Sequence, residues 1–155
     1  MKYDPETGIL SWIVNKGSAS KGKVSRTKSC YITHMVDHKD YKATHIIWLY
    51  VYGHLPSNII DHINGDIKDN RISNLREVTL VENNRNCKNK SNSHSRFKGA
   101  AKSKNGYYQV QIRHDNKQTY IGRYKSEIEA AYWYDMASIQ YHGEFGRRNF
   151  LPLVT

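Results

Sequence analysis

The chain has 155 residues, 38% of them hydrophobic, with a mean hydropathy of −0.78 and a formal net charge of +10. That is enough for one domain or two small ones if the apolar residues cluster, and the basic balance points to a polyanionic partner. Two cysteines without a Cys-x-x-Cys, and an apolar run at 46–51 far too short to cross a bilayer, argue against a disulfide framework, a Cys-rich structural zinc site and a membrane span. No apolar run of signal-peptide type opens the chain, so the expected compartment is the reducing cytosol.

Residues 3–12 read as strand, turn, strand, with Pro5 and Gly8 in the turn and Leu10 and Trp12 on one face. Residues 15–29 are rich in Lys, Ser and Gly and read as an exposed loop. A strand is predicted over 31–36. A helix follows over 43–52, ended by Gly53 and Pro56; being apolar nearly all round, it is expected to be a buried strut. Residues 59–62 form a short strand running into the Asn64-Gly65 turn, with a partner strand over 75–78. Thr79-Leu80-Val81-Glu82 has the pattern of a capping box, which starts a helix and places Asn83 in its first turn.

Residues 85–95 lack apolar periodicity and read as a basic linker. Strands are predicted over 97–102, 107–113 and 119–124, separated by Asn105-Gly106 and Asp115-Asn116. In the middle strand Tyr108, Val110 and Ile112 alternate with Gln109, Gln111 and Arg113, the pattern of a strand with one wet face. Ser126-Glu127-Ile128-Glu129 is a second capping box, opening a helix that runs to about His142 and stops at Gly143. The expected fold class is α+β. A strand–strand–helix unit sits in a domain over 1–84 with a β-rich N-terminal extension. The linker at 85–95 follows, then a three-stranded antiparallel sheet packed on one helix over 96–155.

The chemistry concentrates at Asp61-His62, with asparagines 12 and 21 positions beyond the His at Asn74 and Asn83. A carboxylate beside an imidazole can hold a hard cation and activate water in one step. Asp61 is the natural anionic ligand and Asn83 can add a carbonyl oxygen, a donor set suited to Mg2+. The imidazole of His62 can take the water proton. Neighbouring strand residues point to opposite faces, so the pair must stand at a strand end or kink to share a site. The other basic signal lies downstream: residues 85–155 carry 13 Lys and Arg against 5 Asp and Glu, a net of +8. The electrophile that such a chain points to is a nucleic-acid phosphodiester.

Residues 44–84 resemble the HNH motif of phage-type homing endonucleases. The match runs through Thr44-His45, Trp48, Gly53-x-Leu55-Pro56, Asp61-His62-Ile63-Asn64-Gly65-Asp66, Asp69-Asn70-Arg71-Ile72-x-Asn74-Leu75-Arg76 and Glu82-Asn83. The resemblance implies a ββα-metal nuclease unit with His62 as general base and Asp61 and Asn83 as metal ligands. It places Asn74 as a brace for the His or its loop; Arg71 and Arg76 are candidate phosphate contacts, with a surface or ion-paired role as the alternative. Asn83 stands where many relatives carry His, which favours Mg2+ or Mn2+ over Zn2+.

Residues 96–150 resemble the Apetala/ethylene-response-factor type of DNA-binding domain. The resemblance rests on Phe97-Lys98-Gly99, the 108–113 strand, Tyr120-Ile121-Gly122, Glu129-Ala130-Ala131-x-x-Tyr134-Asp135 and Asn149-Phe150. It implies base or phosphate contacts from Lys98, Gln111, Arg113 and Tyr120, with Lys102, Lys104 and Arg123 neutralising phosphates. Ala101 and Ser103 stand where the plant domains carry base-reading arginines, and Tyr120 replaces a tryptophan, so the plant site preference does not transfer. The expected protein is a metal-dependent HNH endonuclease acting on double-stranded DNA, as monomer or homodimer. Two alternatives stand beside it: a non-catalytic DNA-binding regulator and an RNA-binding module.

Overall fold

The computed structural model describes residues 1–15, 21–22, 26–28, 31–88 and 95–150. Positions 16–20, 23–25 and 29 of the predicted loop, Cys30, and positions 89–94 of the predicted linker lie outside the described residues. The protein is a mixed α+β chain of small antiparallel sheets and divides into two compact units, Met1–Leu80 and Val81–Thr155.

In the first unit β1 (Lys2–Asp4) and β2 (Ile9–Ser11) form a hairpin in which Tyr3 faces Leu10. The Asp4 carboxylate ties the turn, accepting from Glu6 N at 3.1 Å and Thr7 Oγ1 at 2.8 Å. Next come β3 (Arg26–Lys28), β4 (Tyr31–Val36) and β5 (Lys39–Lys42), a three-stranded antiparallel sheet with β4 in the middle. Two of these strands correct the sequence reading. β3 falls inside the expected loop, and β5 carries no apolar alternation. Both owe their conformation to backbone pairing with β4. Asp37 and His38 both have positive φ (45° and 63°), the two-residue turn that suits a right-twisted hairpin.

Helix α1 (Ala43–Tyr52) ends where Gly53 takes up φ 77° and donates its N–H to Leu49 O. The expectation of a helix buried all round is corrected. Ala43, Thr44, Ile47 and Trp48 make one buried face, whereas Leu49, Tyr50, Val51 and Tyr52 are exposed. The core joins that face to Tyr3, Leu10 and Leu75. Strands β6 (Ile59–His62) and β7 (Leu75–Val78) pair antiparallel, setting Asp61 opposite Arg76 and His62 opposite Leu75.

Helix α2 (Leu80–Asn86) lies almost wholly in the second unit and takes in the first two residues of the expected linker. Its last carbonyls find donors within that unit: Arg85 O accepts from Lys98 Nζ and from Arg147 N. Strands β8 (Ala100–Lys102), β9 (Tyr108–His114) and β10 (Lys117–Tyr124) form an antiparallel sheet in the order β10-β9-β8. Helix α3 (Glu127–His142) packs across it, capped by Ser126, whose hydroxyl accepts from Glu129 N. Ala130, Tyr134 and Ala137 meet Ala100, Val110 and Ile112 in the core. Gly99 is needed for this packing. With φ 78°, a Cβ there would lie 1.8 Å from the Tyr134 ring. Among the described residues no helix is long and apolar enough to cross a membrane.

Candidate active site

His62 is the last residue of β6, and the chain turns immediately beyond it through a Gly65 N–H to His62 O bond of 2.8 Å. Its side chain is buried, at 5% exposure. Nε2 lies 2.9 Å from Asn70 Oδ1. An amide oxygen only accepts, so Nε2 carries the proton in the neutral ring and the basic lone pair resides on Nδ1. The sequence assigned no role to Asn70.

Asp61 precedes His62 and is also buried, at 8% exposure. The β6–β7 register places Arg76 across from it, and Asp61 Oδ2 accepts from Arg76 Nε at 3.2 Å and Nη2 at 3.1 Å. The guanidinium of Arg76 is therefore bonded to Asp61, the ion-paired alternative to a phosphate contact. Arg71 is likewise paired. Its Nε and Nη2 reach Asp69 at 2.8 and 2.6 Å, and hydrogen bonds from Arg71 hold the Asp69 carboxyl down at about 2. Arg71 nevertheless keeps half of its side chain exposed.

Asn74 closes a short 3-10 turn at Ile72–Asn74 and spends its side chain on the loop that returns from His62. Its Oδ1 accepts from Asn64 N at 3.0 Å, and its Nδ2 donates to Asn64 Oδ1 and Asp69 O at 3.1 and 2.8 Å. These bonds place Asn74 as a loop brace; the side chain bonded to the imidazole is Asn70. Asn83 stands on α2, in the second unit, whereas Asp61, His62, Asn70 and Asn74 belong to the first.

Among the described residues no three His, Cys, Asp or Glu side chains gather as a metal cluster. Of the two expected ligands, Asp61 belongs to the first unit and Asn83 to the second, and Asp61 Oδ2 is held by Arg76.

Residues 41–85 match the family model of the HNH endonucleases. The match takes in α1, β6, β7, most of α2 and every first-unit candidate residue named above. An HNH endonuclease domain supports a nuclease activity on DNA. It covers less than a third of the chain, and the hairpin β1–β2 and the sheet-and-helix unit after residue 85 lie outside it. No curated protein matches the chain.

In the second unit the sheet has one face against α3 and one open face. Val110 and Ile112 turn to the helix, and Gln111 and Arg113 turn away and are exposed. The register places Tyr120 opposite Gln111, Gln118 opposite Arg113 and Arg123 opposite Gln109, with a bulge between Tyr120 and Gly122. Gln111, Arg113, Tyr120 and Arg123 thus share the open face. Gln118, absent from the sequence reading, donates its amide to Gln111 Oε1 and fixes how that side chain is presented. Arg123 lies over the Tyr107 ring at 4.6 Å from its centroid. Lys102 is exposed with Nζ 6.0 Å from the Tyr108 centroid, and Lys104 is exposed in the turn after β8.

Lys98 is turned inward, which corrects its reading as a DNA contact. Its Nζ donates to Arg85 O at 2.5 Å and Cys87 O at 2.8 Å, and burial pushes its pKa down to about 8. A cavity of about 510 Å3 in this unit is lined by residues of α2, β9 and α3, including Arg85, Gln111, Arg113 and His142. Arg85 was not singled out in the sequence because it fell in a segment read as linker.

Proposed function

We propose that the chain is a metal-dependent DNA endonuclease of the HNH homing type, directed to its sites by a C-terminal reading surface. The observation that carries this is His62, buried at a strand end beside Asp61 and bonded through Nε2, inside the segment that matches the HNH model. The neutral imidazole takes a water proton at Nδ1. The hydroxide oxygen bonds to phosphorus in line with the leaving 3′ oxygen, the P–O3′ bond breaks, and solvent supplies the proton to that oxygen. A 5′-phosphate and a 3′-hydroxyl remain. Asp61 and Asn83 are the residues to hold Mg2+ or Mn2+, which when bound supplies positive charge at the phosphoryl and leaving oxygens.

The reading surface is the open sheet face, in a segment of the Apetala/ethylene-response-factor type. Gln111, Arg113 and Tyr120 are the base-facing candidates; Lys102, Lys104 and Arg123 are the phosphate-facing ones. Its support is the net +8 of residues 85–155 and the exposure of Gln111 and Arg113 on one face. A tethered reader raises the local concentration of the cutter at its sites. The catalytic segment is assigned to 1–84 and the reader to 96–155. The protein acts as a monomer or homodimer in the cytoplasm of a bacterial or phage-infected cell.

One observation favours a second reading. Arg76 holds Asp61 Oδ2, and a carboxylate engaged by a guanidinium is a weaker ligand, as a non-catalytic DNA-binding regulator would tolerate. Incubation with supercoiled plasmid separates the two. The nuclease yields nicked or linear DNA with Mg2+ and none with a chelator; duplex binding without cutting identifies the regulator.

The reading surface has its own test. Arg113→Ala is expected to weaken duplex binding by about 1–3 kcal/mol if the guanidinium reads a base, or to lower the salt dependence by about one phosphate if it does not. Titrations at several salt concentrations distinguish these results. Manganese affinity should stay at the wild-type value; loss of both would count against separate cutting and reading surfaces.

A further inference from the structure

We infer that Asn70 is a positioning residue for His62, and that the N-terminal hairpin sets Asn70 through Tyr3 and Gly8. The inference rests on the nuclease reading of His62 and extends it to residues outside the matched family segment.

Asn70 is 3% exposed, and its Oδ1 is the hydrogen-bond partner of His62 Nε2. A buried imidazole that gives Nε2–H to a fixed acceptor has one tautomer and one ring plane. Both matter if Nδ1 is to meet a water in line with a phosphorus, since small misplacements of a reacting group cost rate steeply. An Asn side chain is a useful anchor only if its own backbone is held. Here the holding group comes from 67 residues upstream. Tyr3 Oη donates to Asn70 O at 3.1 Å and accepts from Ile72 N at 2.8 Å, so one phenol grips the peptide groups on both sides of Arg71.

The hairpin turn makes a second contact at the same place. Gly8 has φ 70°, and a Cβ there would lie 2.5 Å from Arg71 N and 2.6 Å from Asn70 C. The missing side chain lets the turn backbone lie directly on the Asn70–Arg71 peptide. Tyr3 is itself anchored in the core with Leu10 and Trp48. The path therefore runs from hairpin core to Tyr3 hydroxyl, to the Asn70 backbone, to the Asn70 amide, to His62.

The full chain, labelled with 15N in histidine, provides the test. In the wild type the His62 Nε2 proton is expected as a downfield, slowly exchanging resonance, assigned by its disappearance in His62→Gln. Asn70→Leu should abolish it, and Asn70→Asp, which keeps an acceptor at the same reach, should restore it. With plasmid and Mg2+, Asn70→Leu is expected to lower kcat by about 10- to 100-fold with KM little changed, the scale on which a misplaced reacting group costs rate. Tyr3→Phe, a milder change should Asn70→Leu fail to fold, should speed exchange of the same proton and lower kcat.

An unchanged resonance in folded Asn70→Leu, or a loss confined to KM, overturns the positioning role. Wild-type exchange in Tyr3→Phe overturns the part given to the hairpin. A wild type that shows the resonance but cuts no DNA fails the nuclease reading instead and leaves the Asn70 contact standing.

Discussion

Replacing His62 with Ala is expected to slow plasmid cleavage by about 10²–10⁴-fold, the usual contribution of a positioned general base. Duplex affinity should be unchanged, because the open sheet face is in the second unit and His62 in the first. The effect is large because no other imidazole of the described residues is bonded to Asn70. Among the other described histidines, His114 bonds Thr119, His142 bonds Arg113 O, His54 bonds Leu55 O and His34 is buried beside Trp12. Single-turnover rates with excess protein isolate the chemical step from binding. Cutting at the wild-type rate by His62→Ala would remove His62 from the mechanism. Partial rescue by added imidazole would locate the loss in proton transfer and not in folding.

A second large effect is expected at Asp135, and it concerns stability. Asp135 is fully buried on α3. Its Oδ1 accepts from Asn149 N at 2.7 Å and Asn149 Nδ2 at 3.0 Å, and its Oδ2 from Phe150 N at 2.8 Å. Asn149 carries the link onward, accepting from Lys98 N at 2.8 Å and donating to Lys98 O at 3.1 Å. One carboxylate thereby ties the helix, the segment after it and the approach to β8. Asp135→Ala removes the shared acceptor of Asn149 N, Asn149 Nδ2 and Phe150 N and leaves Nδ2 only the Lys98 and Ala131 carbonyls; with each bond to a charged group worth about 1.5–3 kcal/mol, a loss of about 3–5 kcal/mol is expected. Urea unfolding followed by amide exchange at Val110 and Ile112 measures it within the second unit. A change below about 1 kcal/mol would show that water or neighbouring groups replace the carboxylate. Asp135→Asn, which accepts but also brings two donors of its own, should fall between.

Several features were legible in the chain because short-range chemistry decides them. Helix α1 starts where apolar spacing begins and stops at a glycine able to adopt positive φ. Ser126 and Glu129 mark the start of α3 because a hydroxyl three residues ahead of an amide can reach it. In β9 the alternation of Val110 and Ile112 with Gln111 and Arg113 anticipates a sheet with one face on the helix. The pairing of β6 with β7 was readable from two short apolar runs around a turn-rich loop. Strands β3 and β5 were not readable, since Lys, Thr and Arg in them announce no face and only β4 supplies their hydrogen bonds.

The chain alone named Asp61 and His62, because an acid and an imidazole in sequence are a chemical fact that needs no fold. It could not name Asn70, which looks like any other polar loop residue until the loop curls back over eight positions to reach Nε2. Nor could it turn Lys98 inward or commit Arg76 to Asp61, for a cation's partner depends on cross-strand register and on which carbonyls lie within reach. Side-chain type and local spacing act over a few residues, and they determined the elements and the reactive groups. The partner of each group was decided by tertiary structure, because burial removes water and leaves every polar atom to the neighbour that packing brings to it.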